Sequence, residues 1–113
     1  MKIIIHKNKW NWGVSYTLIT SNGLGELNFC YEYKAPELAY FGSLLVHESV
    51  RQKGIATFLH NKAISMAKEL GFKKVQIKTE KERWMKDWYK RLGFKEDGDN
   101  KDMEGYVNMI LIL

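Results

Sequence analysis

The stretch Leu44-Leu45-Val46-His47-Glu48-Ser49-Val50-Arg51-Gln52-Lys53-Gly54-Ile55-Ala56-Thr57 changes character twice within fourteen residues. Three apolar residues end a strand, a polar and charged loop follows, and a helix begins at Ile55. The helix is indicated by apolar side chains at Ile55, Phe58, Leu59, Ala63, Met66, Ala67 and Leu70, one stripe at a 3.6-residue period. A helix start carries free backbone N–H groups and the positive end of the macrodipole. Together these suit a phosphate or another anion. Gly54 lets a ligand approach the backbone, Ala56 keeps the first turn thin, Thr57 adds a hydroxyl, and Arg51 and Lys53 add charge. By itself this pattern also arises with no ligand. The Gly-x-x-x-x-Gly-Lys-Ser/Thr spacing of a nucleotide P-loop is absent, and so is the Rossmann glycine pattern.

Upstream of this stretch the chain predicts strands. Residues 2–6 are a short apolar run, and residues 14–20 alternate through Val14, Tyr16, Leu18 and Thr20. Asn22-Gly23 marks a turn. Residues 26–33 are a further run with Leu27, Phe29 and Tyr31 on one side, and residues 39–46 form a fourth strand. Downstream, Gly71 closes the first helix. Val75 and Ile77 alternate with polar residues in a strand over 73–78. Residues 82–92 form a second helix with Trp84, Trp88 and Leu92 on one face, closed by Gly93. Phe94 opens a short strand, and residues 106–113 are apolar enough for a strand inside a sheet. The predicted order is β-β-β-β-α-β-α-β-β, an α/β (α+β) arrangement with a mixed, mostly antiparallel sheet.

The composition fits a single folded domain over residues 1–113. Hydrophobic residues make up 45% and charged residues 27%. A core of this size is modest, so a homodimer would add useful stability. The single cysteine, Cys30, excludes an intrachain disulfide and reads as a buried small hydrophobe, which suits a reducing, cytoplasmic setting. No apolar run is long enough for a signal peptide core or a membrane span. The net charge of +5 favours an anionic ligand. Residues 68–91 hold nine Lys/Arg against four Asp/Glu, and residues 95–104 hold five acidic residues against two basic. No set of residues suggests a metal site.

Arg51-Gln52-Lys53-Gly54-Ile55-Ala56 resembles the acetyl-coenzyme A signature of the GNAT superfamily of N-acetyltransferases, Gln/Arg-x-x-Gly-x-Gly/Ala. About 30 residues on, Trp88-Tyr89-Lys90-Arg91-Leu92-Gly93-Phe94 resembles that family's aromatic Tyr-x-x-x-Gly-Phe signature. The likeness runs over residues 39–113. It implies a GNAT-like acyl-CoA-binding fold, with Leu45 and Val46 pairing with the pantetheine arm. It further implies that Arg51, Gln52, Lys53, Gly54, Ile55, Ala56 and Thr57 hold the phosphates. Two departures stand out. The family usually places two helices between its first two strands, where residues 7–13 leave room only for a turn. An asparagine seven residues before the tyrosine is replaced here by Glu82.

The resemblance implies direct attack of an amine on the thioester, so Cys30 needs no role. A lysine-like amine, of pKa ~10.4, costs about 4–5 kcal/mol to deprotonate at pH 7, which a general base relieves. Glu48, just past the cofactor strand, is a candidate, alongside His47 and Glu26; each could equally be a packed or solvated residue. His6 and His60 read as structural or exposed. A strand N–H near Val46 could donate to the oxyanion. The motif places Tyr89 to protonate the departing thiolate, although an aromatic there could simply pack on the sheet. Asp97, Asp99 and Asp102 fall, by resemblance, in the loop between the last two strands, where they could attract a cationic amine. The implied acceptor is a primary amine, either a small molecule or a protein group. Two rival readings use the same residues. One is an acetyl-CoA-binding regulatory or interaction module with little catalysis. The other is a nucleic-acid binder using Trp84, Trp88 and Tyr89 among lysines; helical spacing places those tryptophans in the core instead.

Overall fold

Strand β1 (Ile3–Lys9), β2 (Gly13–Thr20), β3 (Gly25–Glu32) and β4 (Leu38–Val46) form an antiparallel meander. A 3₁₀ turn (Glu48–Val50) leads to helix α1 (Ile55–Glu69), then β5 (Lys74–Glu80), helix α2 (Trp84–Arg91), β6 (Lys95–Asp99) and β7 (Tyr106–Ile112). The computed structural model describes residues 2–50, 53–82 and 84–113, with Ser43 and Val50 described by their backbone alone. The strands join in one seven-stranded sheet of order β1-β2-β3-β4-β5-β7-β6. Only β4 and β5 run parallel, and α1 is the crossover that such a pair requires.

Alternation decides the faces. Val14, Tyr16 and Leu18 of β2, Leu27 and Phe29 of β3, Ala39 and Phe41 of β4, Val75 and Ile77 of β5, and Val107 and Met109 of β7 are buried on one side. Helix α1 covers that side over β2 to β4, and α2 covers β5. The opposite side carries no helix among the described residues, and Ser15, Thr17, Asn28 and Gln76 there are half-buried. Cys30 also lies on this uncovered side, half-buried rather than in the core, with its thiol pKa pushed up by desolvation and by Glu32.

Several expectations shift by a residue or two. β1 extends to Lys9 because backbone pairing continues through Lys7↔Tyr16 and Lys9↔Val14, with the Lys7 ammonium 5.8 Å above the Tyr16 ring. Residues 10–12 then form only a turn, so the usual pair of helices is absent at this point. Along α1 the buried set is Ile55, Leu59, His60, Ala63 and Ala67. Phe58 and Leu70 are exposed instead, and His60 is buried. The α2 stripe is Met85, Trp88, Tyr89 and Leu92. Trp84 falls one position off it and is 65% exposed, contrary to its expected place in the core.

Candidate active site

The sheet splits where β4 and β5 part. Their pairing ends at Tyr40↔Gln76, after which β4 stays with β3 and β5 stays with β7. β4 also carries a bulge: from Asn28↔Gly42 to Glu26↔Leu45 it advances three residues while β3 advances two. Past the bulge, the His47 N–H donates to the Leu24 carbonyl at 2.7 Å. Strand alternation therefore turns the peptide edge of Val46 away from β3 and toward the gap. Leu45, paired with Glu26, lies on the uncovered side and is 62% exposed; Val46, paired with Gly25, faces the helices.

Gly25 seats α1 at this place. A Cβ there would come within 2.6 Å of Ile55 Cγ2 and 3.1 Å of Leu59 Cδ1, so the helix start lies directly on the β3 backbone. The turn beneath is fixed by Thr20, whose buried hydroxyl accepts the Gly25 N–H at 3.0 Å and donates to Asn22 Oδ1 at 2.6 Å. Gly54 caps α1 in the left-handed conformation, φ 81°. No side chain caps the first turn, and that turn contains no acidic residue. The N–H groups of a fifteen-residue helix therefore open beside the gap with no acidic residue in the helix's own first turn. Ile55 is buried and can offer only its backbone, Ala56 is half-buried, and Lys53 and Thr57 are exposed. Arg51 and Gln52 lie outside the described residues.

On the far side of the gap α2 presents Tyr89, 8% exposed, its ring centroid 5.0 Å from Trp88, 5.3 Å from Phe94 and 6.3 Å from His60. Burial pushes its phenol pKa up to about 12, so it is protonated at neutral pH. His60, on α1, faces α2 and β4, with Phe41 5.9 Å away and Trp88 5.6 Å away. It was invisible as a site feature in the sequence, where it lies off the expected stripe.

The other candidates are separate from this cluster. Glu48 is exposed on the 3₁₀ turn just beyond β4. His47 Nδ1 accepts the Ser49 N–H at 3.2 Å and lies 2.7 Å from its hydroxyl, so that nitrogen is committed to the turn. Glu26 is half-buried on the uncovered side. Asp97 and Asp99 belong to β6 itself, not to the loop at 100–105 where they were expected, and Asp99 pairs with Lys81 at 2.9 Å. Asp102 is in that loop, its N–H donating to Asn100 Oδ1 at 3.0 Å. Among the described residues no group of three His, Cys, Asp or Glu could hold a metal ion. No helix among them is long and apolar enough to cross a membrane.

Three solved structures show the same architecture. A GNAT family acetyltransferase from Elizabethkingia anophelis with acetyl-CoA bound superposes with a TM-score of 0.73 at 19% identity, covering 98% of both chains. An acetyltransferase from Bacillus subtilis in complex with CoA gives 0.71 at 19% identity over 99% of both. A larger acetyltransferase from Thermus thermophilus gives 0.74 at 15% identity, covering 91% of this chain and 66% of that one. At these identities the likeness is one of fold. No curated protein matches the chain in sequence. Residues 13–94 match the acetyltransferase (GNAT) family, a span that holds the split sheet, both helices and the Gly93-Phe94 turn. The chain is therefore an acyltransferase of the GNAT acetyltransferase family.

Proposed function

We propose that the chain is a single-domain N-acetyltransferase that moves an acetyl group from acetyl-coenzyme A to a primary amine by direct attack. The observation that carries this reading is the uncapped start of α1, seated by Gly25 at the mouth of the gap between β4 and β5. The N–H groups of Ile55, Ala56 and Thr57 would hold the pyrophosphate, with Arg51, Gln52 and Lys53 alongside and Gly54 giving the backbone its turn. Leu45 and Val46, at the end of β4, would align the pantetheine arm. The helices occupy one side of the sheet, so the amine approaches from the uncovered side.

Tyr89, held protonated by burial, gives its proton to the departing thiolate. Glu48, exposed at the end of β4, takes the proton from the attacking amine. The acceptor is a small amine or a protein amine. A second copy of the chain would cover the uncovered side of the sheet and complete the acceptor site. The lone thiol suits a reducing compartment such as the cytoplasm.

The test is calorimetric titration with acetyl-coenzyme A, followed by thiol release with a panel of polyamines, lysine peptides and protein N-termini. Micromolar binding and thiol release with at least one amine class are expected. Binding without release across the panel would leave the chain a cofactor-binding module and reject the enzymatic reading.

A further inference from the structure

The two edges of the sheet are not alike. Strand β6 closes one edge with five residues, three of them acidic, and its register shifts between Glu96 and Asp99. Short length, charge and a bulge are the usual devices that keep an edge from pairing further. Strand β1 closes the other edge with seven residues, Ile3–Lys9, in unbroken register with β2 and with neither proline nor acidic residue. Its inner bonds fall on the even positions: the Ser21 N–H donates to the Lys2 carbonyl and the Trp10 N–H to the Gly13 carbonyl, both at 2.8 Å. By antiparallel alternation Ile3, Ile5, Lys7 and Lys9 therefore turn their N–H and C=O groups away from β2, to a side where no described strand lies. Apolar surface accompanies this open ladder. Ile4 is 48% exposed and Ile5 40%. Trp10, fixed by its Nε1–H donating to Ser15 Oγ at 2.9 Å, is 50% exposed. The Lys7 ammonium lies over the Tyr16 ring, drawn toward the helix side of its own sheet.

We propose that β1 is an interface between two copies of this chain, each β1 pairing antiparallel with the other about a twofold axis at His6 to make one continuous sheet. The residues of the strand are what select a second copy. Outward residues must face outward residues, so the axis passes through a residue and not between two. With the axis at His6, Ile3 faces the partner's Lys9 and Ile5 faces the partner's Lys7, and all four outward residues exchange backbone bonds. Ile4 faces the partner's Asn8, and the two His6 side chains meet on the axis. No lysine opposes a lysine. An axis at Lys7 would set Lys7 against Lys7, and an axis at Ile5 would leave Lys9 without a mate. Just beyond the strand, Lys2 comes opposite the partner's Trp10, an ammonium beside an exposed indole. The axis is perpendicular to the sheet, so the helices of both copies stay on one side of it. The gap between β4 and β5 lies three strands in from β1 and stays open. The uncovered side stays open too, so this contact is separate from that of a copy lying on that side. Two strands of seven residues bury a modest area, so the pairing is a concentration-dependent equilibrium and not an obligate dimer.

The experiment is sedimentation velocity over a concentration series, joined to thiol cross-linking in a Cys30→Ser background that leaves each introduced thiol alone. The Cys30→Ser chain is expected to shift from monomer toward twice the monomer mass as concentration rises. Ile5→Pro removes an outward N–H and no bond to β2. It is expected to remain monomeric, with Tm close to that of its parent. His6→Cys sets two thiols across the axis at a Cα separation of about 4.5 Å, inside the range for a disulfide. It is expected to form a disulfide-linked dimer on air oxidation at least tenfold faster than Asn8→Cys, whose thiol would face the partner's Ile4. A monomer at every concentration overturns the proposal. So does a dimer that Ile5→Pro leaves intact, which would place the contact on another surface. If Ile5→Pro loses Tm, the cross-link decides: equal rates for His6→Cys and Asn8→Cys overturn the pairing about His6.

Discussion

The two helices are held on the sheet by different means. α1 buries five residues along fifteen, and its first turn rests on bare backbone at Gly25. α2 has eight residues and buries one, Tyr89. The rest of its attachment is aromatic contact around Trp88 and ion pairs to β6, Lys86 to Glu96 at 2.6 Å and Lys90 to Glu96 at 3.5 Å. Apolar burial is strong and indifferent to salt, whereas exposed ion pairs are weak and screened. The phosphate cradle proposed at the start of α1 needs a fixed helix, and the Gly25 seat supplies one. The proton donor proposed on α2 can tolerate adjustment when substrate arrives, and α2, with one buried residue, is the less firmly packed helix.

The largest way to break this contrast is Gly25→Leu. The new side chain meets Ile55 and Leu59, and overpacking of this kind costs about 1–3 kcal/mol. Acetyl-coenzyme A affinity is expected to fall at least 100-fold while helix content by circular dichroism stays close to wild type. Retained affinity would show that the cradle does not depend on the seat.

Next is Tyr89→Phe. General acid catalysis contributes about 10²–10⁴-fold, so kcat should drop into that range. Cofactor affinity should hold within about twofold, and Tm should not fall, since only a hydroxyl is removed from the cluster. Gly54→Ala should follow. It forces an L side chain to φ 81°, a strain of about 1–2 kcal/mol, and cofactor affinity should weaken about tenfold with kcat nearly unchanged.

Smallest is Glu96→Gln, which removes both ion pairs of α2. Contact with Lys86 lowers the Glu96 pKa and raises that of Lys86. The stabilisation is therefore present above the ordinary carboxylate range and is lost as pH falls through the lowered Glu96 value. At the other end it is present below the ordinary lysine value and is lost as pH rises through the raised one. A small Tm deficit of Glu96→Gln at pH 7 should vanish at acidic pH and in 1 M salt. A deficit that persisted in both would place the attachment of α2 in packing instead.

Much of the fold was legible because periodicity is a local property. The strand and helix order followed from alternation in 14–20 and the 3.6-residue stripe from Ile55, and element ends moved only where pairing or packing overrode composition. Lys7 and Lys9 joined β1 through backbone bonds that need no apolar side chain. Trp84 left the core because burying Tyr89 rotated the α2 stripe by one position. Cys30 was expected inside and lies on the uncovered side, because alternation does not say which side a helix will cover.

The sequence by itself determined that a strand, a short basic loop and a helix beginning at Ile55 follow one another, since glycine, charge and period act over a few residues. Only the tertiary structure decided what that helix start faces. The split of β4 from β5, the bulge in β4, and the contact of Gly25 with Ile55 depend on strands distant in sequence. The same holds for His60, which becomes a neighbour of Tyr89 only because α1 and α2 pack on one side of the sheet. Long-range packing sets those distances, and no local pattern encodes them.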